Sequence, residues 1–180
     1  VAKAQEQDLL RSDLVICIQE QLKRIDGLQD DIDHIGQRLN SMIREDRQMQ
    51  AIQQIPGVGD LTASSLVAAV GDFGTFQSAR QFASWVGLVP RHVGTGGKTQ
   101  QFGISKRGDT YLRTLLIAGA RAVIARSGKS DWIERLLQRR HYNVVVVALA
   151  NKMARTAWAV LAKGVAFDRG GWNPLEIAAT

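Results

Sequence analysis

Ile55-Pro56-Gly57-Val58-Gly59-Asp60-Leu61-Thr62-Ala63 joins an apolar-Pro-Gly-apolar-Gly turn directly to the start of a helix, the sequence form of a helix-hairpin-helix. Pro56 starts the turn, while Gly57 and Gly59 can take φ > 0 and let an anion approach the main chain with no Cβ in the way. The helix that follows offers unpaired N–H groups and the positive end of its dipole, with Asp60 expected as its cap. A phosphate backbone is the anion such a turn suits, through Gly57, Val58 and Gly59, and contacts of this kind fix register without reading bases. An ordinary turn between two packed helices has the same Gly-x-Gly pattern, so the nonamer has to be weighed with its surroundings.

Upstream, apolar residues over 14–42 keep a seven-residue frame. Leu14, Leu28, Ile35 and Met42 hold one register and Ile18, Ile25, Ile32 and Leu39 the other, with Gln21 the polar intruder. About four heptads argue a coiled coil. Gly27 and Gly36 each weaken the helix by up to about 1 kcal/mol against Ala, so it needs a partner helix. Downstream, 61–70 reads as a helix closed by Gly71-Asp72, and 77–86 as a second one presenting Phe82, Trp85 and Val86 as core. Gly87-Leu88-Val89-Pro90 stops it. A glycine-rich loop is expected over 91–107, followed by helices over 109–125, 130–140 (cap Ser130) and 143–163 (stop Gly164). No run alternates like a strand. The fold class read here is all-α: a coiled-coil helix over 1–50, a compact helical domain with the helix-hairpin-helix over 51–164, and a tail over 165–180 that Trp172 is expected to dock.

The chain has 180 residues, 45% of them apolar and 22% charged, enough for one buried core. Its net charge of +6 is unevenly placed. Up to Pro90, eight Lys and Arg stand against twelve Asp and Glu, whereas from Arg91 to Lys163 fourteen stand against three. Such a cationic block favours a polyanion and salt-dependent binding. The apolar run 144–150 is far shorter than the roughly 20 residues of a membrane span, so no membrane partner is expected. Cys17 is the sole cysteine, which fits a reducing cytoplasm. The first residue is Val1, with no leader before it, and the chain is expected to be a piece of a longer polypeptide.

Arg91, His92, Thr95, Lys98, Ser105, Lys106, Arg107 and Arg113 cluster on or beside the 91–107 loop. Glycines let backbone hug a phosphate and the cations neutralise it. Thr95 and Ser105 carry the hydroxyls able to attack a phosphodiester, an attack that needs a base or cation to activate it, and His92 is the base at hand. His34, His92 and His141 match no zinc spacing, and Asp26, Asp30, Asp31 and Asp33 read as a solvated helix face.

Taken in order, the nonamer, Phe76-Gln77-Ser78-Ala79-Arg80-Gln81, Trp85-Val86-Gly87-Leu88-Val89-Pro90-Arg91, Gly96-Gly97-Lys98 and Gly103-Ile104-Ser105-Lys106-Arg107-Gly108-Asp109 with Tyr111-Leu112-Arg113 closely resemble one family. It is the C-terminal transposase domain of the Piv-like bacterial insertion-sequence recombinases, the RNA-guided "bridge" recombinases. The resemblance covers about residues 50–163. It implies a serine nucleophile on this domain, a preceding coiled coil, and a separate RNase H-like domain with four acidic residues that bind Mg²⁺, a domain absent from this chain. It also implies DNA as partner, a guide RNA in some members, a dimer or tetramer assembled on DNA, and residence with the bacterial nucleoid. Where the family shows Ser-Ser-Gly-Gly-Lys or Ser-Thr-Gly-Gly-Lys, this chain has Gly94-Thr95-Gly96-Gly97-Lys98. Either the nucleophile position falls on Gly94 and its hydroxyl is missing, or Thr95 inherits the role, with Ser105 a weaker candidate. A strand-exchange domain of this kind competes with a non-catalytic clamp for DNA or guide RNA, and with a structural dimerisation unit that has no nucleic-acid affinity.

Overall fold

Helix stop and start signals set most of the element boundaries, because each lone cap or positive-φ glycine satisfies backbone groups that a longer helix would leave orphaned. A computed structural model describes residues 12–95, 98–126 and 130–168, and only the backbone of Val93, Thr95 and residues 98–101. In chain order the elements are α1 (Ser12–Glu45), α2 (Arg47–Gln53), α3 (Asp60–Val70), a 3-10 turn (Phe73–Thr75), α4 (Ala79–Val86), β1 (Pro90–Thr95), β2 (Lys98–Ile104), α5 (Thr110–Ala125), α6 (Asp131–Leu137) and α7 (Tyr142–Lys163). The all-α class holds, with one two-stranded hairpin in addition. Residues 1–11, the Gly96-Gly97 pair and most of the expected tail, Trp172 included, lie outside the described residues.

The chain divides into two units, Val1–Met42 and Ile43–Thr180. In the first, the expected long helix forms, and Leu14, Ile25, Leu28, Ile32, Ile35 and Met42 are each about half exposed along it. The two heptad registers of the sequence thus supply an apolar stripe on a solvated helix.

The second unit is organised on α7. Buried pairs recur along it at helical spacing, Val145-Val146, Leu149-Ala150, Met153-Ala154 and Ala157-Trp158, and pack in one core with α2, α4, α5 and α6, which contribute Ile52, Phe82, Leu116 and Ile133. By length and composition α7 is also apolar enough to cross a membrane, more than the 144–150 run suggested. Ten of its residues are buried in the core, which accounts for that composition. Phe73, Phe76, Phe82 and Trp85 form a ring cluster with centroids 5.2–5.9 Å apart, and Trp158 Nε1 donates to the Phe73 carbonyl at 3.2 Å. Between α6 and α7, Lys152 Nζ lies 5.2 Å from the Trp132 ring centroid.

Caps fall near the expected positions, with one correction. Ser78 Oγ accepts from the Gln81 amide, and Asp109 Oδ1 from that of Leu112, while Gly87 and Gly164 end α4 and α7 in the left-handed region. Asp60, however, is the first residue of α3 and not its cap. Gly59 occupies the cap without a side-chain bond, and Asp60 Oδ1 instead accepts from Gln53 Nε2 at 2.6 Å, tying the end of α2 to the start of α3.

The stretch 91–107, expected as a loop, is the hairpin. Thr95 pairs with Lys98 and Gly94 with Thr99, so a two-residue Gly-Gly link joins the strands, a recognised hairpin signal. Alternation is absent from the sequence, and the described side chains of Arg91, His92 and Phe102 are all exposed, so none of the three marks a buried face. Near its base, Phe102 and Gly103 together stand opposite the single residue Arg91, a bulge that shifts the register.

Two predictions test this packing. A Cβ at Gly108, where φ is +105°, would run into the Trp85 carbonyl, whereas one at Gly59 meets nothing within 4 Å. Gly108→Ala is expected to lower stability by more than about 2 kcal/mol and Gly59→Ala by less than about 1, read from urea unfolding midpoints. Burial lowers the Lys152 pKa from 10.5 to about 8. Between those values the unfolded chain holds a proton that the folded chain has released, so stability should rise from pH 8 to 10.5. Lys152→Met should flatten that rise.

Candidate nucleic-acid interface

The hairpin is rooted where its two ends cross the C-terminus of α4. Gly87 permits the crossing: it sits at φ +82°, and the Arg107 backbone occupies the space a Cβ would fill. The Ser105 amide donates to the Val89 carbonyl at 2.8 Å and the Lys106 amide to that of Gly87 at 3.2 Å, while Asn151 Nδ2 from α7 donates to the Leu88 carbonyl at 3.1 Å. Arg113 completes the anchor, with Nη1 3.1 Å from the Val86 carbonyl and Nη2 3.1 Å from Thr110 Oγ1. A guanidinium at the end of α4 satisfies a terminal carbonyl and complements the helix dipole. Lys106 takes φ +55°, the one described non-glycine residue in that region, and its side chain is exposed.

Two depressions flank this root and share Pro90 and Asn151. One, of about 870 Å³, has an apolar floor of Leu88, Ile104, Val144 and Val147, with Phe102, Lys106, Arg140 and Asn143 around it. The other, of about 770 Å³, is lined by Ser78, Arg80, Ser84, His92 and Arg155. No Asp or Glu is among the described residues lining either. Lys106 and Arg140 at one hollow, and Arg80 and His92 at the other, thus line two adjoining hollows whose described lining residues include no carboxylate, a field that concentrates an anion.

The residues expected at the site are divided by the structure. Arg91, Lys106 and Arg107 are exposed at the hairpin and its root. Lys98 lies at the hairpin's far end, where only its backbone is described. Arg113 is corrected: at 8% exposure, with both terminal nitrogens engaged, it holds the fold and presents no charge to a ligand. Val58 is corrected as well, because its side chain is buried and its amide donates to the Ile55 carbonyl at 3.0 Å. Gly57 is half-buried at φ +88°. A Cβ there would meet the Gly119 carbonyl and the Met153 methyl, each at 2.8 Å, so this glycine serves a close approach to α5 and α7. Of the turn, Gly59 alone is exposed, and the Asp60 carboxylate already stands in the first turn of the helix behind it. The turn is a weaker anion site than its sequence suggests.

Gly94 and Thr95 sit in β1 near the hairpin link. Ser105 follows β2 at the opposite end, about 17 Å away by strand rise, so the candidate hydroxyl positions are not gathered together. Gly94 is exposed and lies in β1 opposite Thr99. The strand pleat puts His92 on the same face as position 94, about 7 Å along the strand. Sequence reasoning missed Arg80, Arg140, Phe102 and Asn143, which come from four different elements or links. The excess of positive charge over 91–163 was the available signal for Arg140. Among the described residues, no three of His, Cys, Asp and Glu gather to hold a cation, so none of them offers the implied Mg²⁺ a ligand set and no step here is routed through it.

A family model described as the transposase IS116/IS110/IS902 family matches residues 49–138. The chain is similar to a probable family 20 transposase of Pseudomonas aeruginosa, with 46% identity over 144 residues that cover 77% of this chain and 43% of that protein. It is 43% identical over 143 residues to the transposase for insertion sequence element IS1328 of Yersinia enterocolitica, covering 77% and 43%. A pilin gene-inverting protein of Moraxella bovis is 30% identical over 145 residues, covering 77% and 44%. The chain thus spans less than half the length of these curated relatives.

Proposed function

The chain belongs to the IS116/IS110/IS902 transposase family, and from that premise we propose that it is the part of an insertion-sequence transposase that holds DNA at the strands to be cut. The observation that supports this is the pair of cationic hollows at the hairpin root, free of described acidic lining residues. Lys106, Arg140 and Arg91 on one side and Arg80, His92 and Arg155 on the other would take successive phosphates, with Arg107, Lys98 and the exposed Gly59 amide as outer contacts. Phosphate contacts of this kind position the duplex without selecting its sequence.

The hairpin would carry a hydroxyl toward the held strand. Attack by a hydroxyl oxygen on a backbone phosphorus forms a phosphoester to the protein and releases the other strand end as a hydroxyl, while the attacking group's proton passes to a base. Reversal onto a different strand end completes exchange. His92 stands beside position 94 to accept that proton. The exposed apolar stripe of α1 would be covered by the same helix of a second copy, bringing two such sites onto one DNA, and the Mg²⁺ would be held by a separate acidic domain. This reading puts the protein with the DNA of a bacterial cytoplasm.

One observation favours the non-catalytic alternative, a clamp for DNA or guide RNA: Gly94 stands where the resemblance expects a hydroxyl. In the full-length protein, a nicked suicide duplex should trap a covalent adduct. If Thr95 is the nucleophile, Thr95→Ala abolishes it; if position 94 is, the adduct is missing from the natural chain and appears in Gly94→Ser. Absence of adduct from both the natural protein and Gly94→Ser would leave the clamp. Binding is tested separately by fluorescence anisotropy on duplexes of unrelated sequence. Lys106→Gln and Arg140→Gln should each weaken all of them alike and reduce the slope of log K against log salt by about 1. An unchanged slope would remove this rim from the interface.

A further inference from the structure

Phe102 is 45% exposed on the hairpin, an uncommon place for a bare phenyl ring, and the bulge at the hairpin base sets it there. Because two residues of β2 face the single Arg91, the ring comes beside that side chain, whose guanidinium carbon lies 5.3 Å from the ring centroid. The same ring borders the 870 Å³ hollow, a size within the range of pockets for small ligands. Val144, 52% exposed, and Val147 face it from α7, and Lys106 and Arg140 stand at the rim.

A double helix keeps its bases stacked and paired, so a concave apolar floor with an aromatic wall offers nothing to its outer surface except phosphate contacts. An unstacked nucleotide is different. Its base has an apolar face that needs cover, and a phosphate on either side that needs cations, and the hollow presents both in one place. From this complementarity we infer that the hollow between the hairpin and α7 is a site for a single unstacked nucleotide, its base lying against Phe102 and its flanking phosphates on Lys106 and Arg140. Asn143, exposed at the start of α7, offers an amide donor and acceptor to the base edge. Arg91 stiffens the ring's position through its own stacking. The inference rests on the reading of the chain as a nucleic-acid-holding domain and adds to it a substrate state: DNA opened at the site, or a strand that is single to begin with.

The test uses anisotropy with three probes of one length: a duplex, a single DNA strand carrying 2-aminopurine, and the matching RNA strand. Phe102→Ala should weaken single-strand binding about tenfold, in line with the loss of one base–aromatic stack, while duplex affinity changes less than twofold. Quenching of 2-aminopurine should vanish with it. Phe102→Leu keeps the apolar bulk that packs the hairpin base and should still lose the affinity and the quenching, whereas Phe102→Tyr should retain both. Equal single-strand affinity and quenching in the natural protein and in Phe102→Leu would overturn the inference while leaving duplex binding and the proposed function intact. Failure to bind any probe would instead remove the proposed function, and this site with it. Tighter binding of the DNA strand than the RNA strand would assign the site to the recombining DNA, and the reverse order to a guide.

Discussion

The crossing of the 105–108 backbone over the end of α4 is the constraint on which the rest of the second unit depends. A helix C-terminus leaves carbonyls without partners, and here the acceptors at and just after it are taken by the hairpin's exit and by side chains of α5 and α7. Val86 bonds the Arg113 guanidinium, Gly87 the Lys106 amide, Leu88 the Asn151 amide and Val89 the Ser105 amide. Four consecutive acceptors therefore bind α5, α7 and the hairpin's exit strand to one short stretch. Gly87 and Gly108 make it possible, since each leaves open the volume that another residue's backbone fills. An isolated two-stranded hairpin is marginal in water. This one is held at its base by these bonds.

That arrangement explains why charge accumulates where it does. The roots bring the chain from α4 back to α5 across the surface of α7, and the gaps on either side of the crossing become the two hollows. The floor of the larger one is apolar because it is the edge of the core. Their rims are cationic because Arg80, Lys106 and Arg140 leave the core at that edge. The apolar floor of the larger hollow with Lys106 and Arg140 at its rim is the feature on which the proposed nucleotide site rests.

Much of this architecture could be read from the chain alone, and the exceptions share a cause. The helices over 61–70, 109–125 and 143–163 were legible because amphipathic periodicity and caps such as Asp109 and Gly164 act locally. The long helix Ser12–Glu45 and its apolar stripe were legible for the same reason, as a heptad frame is a property of a single helix. Arg113 was misassigned to a cationic surface because its i+3 and i+4 neighbours say nothing of the α4 carbonyl, 27 residues away, that receives it. Gly57 and Val58 were misread for a parallel reason: the Pro-Gly-x-Gly turn has the residues of an anion-binding bend, but Gly119 and Met153 decide which side of it faces water. The hairpin was overlooked because strand alternation reports a buried face, and its described side chains at Arg91, His92 and Phe102 are all exposed.

Sequence by itself determined the helical class, the family, the seven-residue stripe of α1 and the concentration of positive charge after Pro90, since all of these reside in local spacing and composition. Tertiary structure alone decided which glycines meet backbone and which meet solvent, which arginine is a strut, and that Phe102, Lys106, Arg140 and Asn143 surround one hollow. Those outcomes depend on contacts between residues far apart along the chain, and only the packed core sets the distances between them.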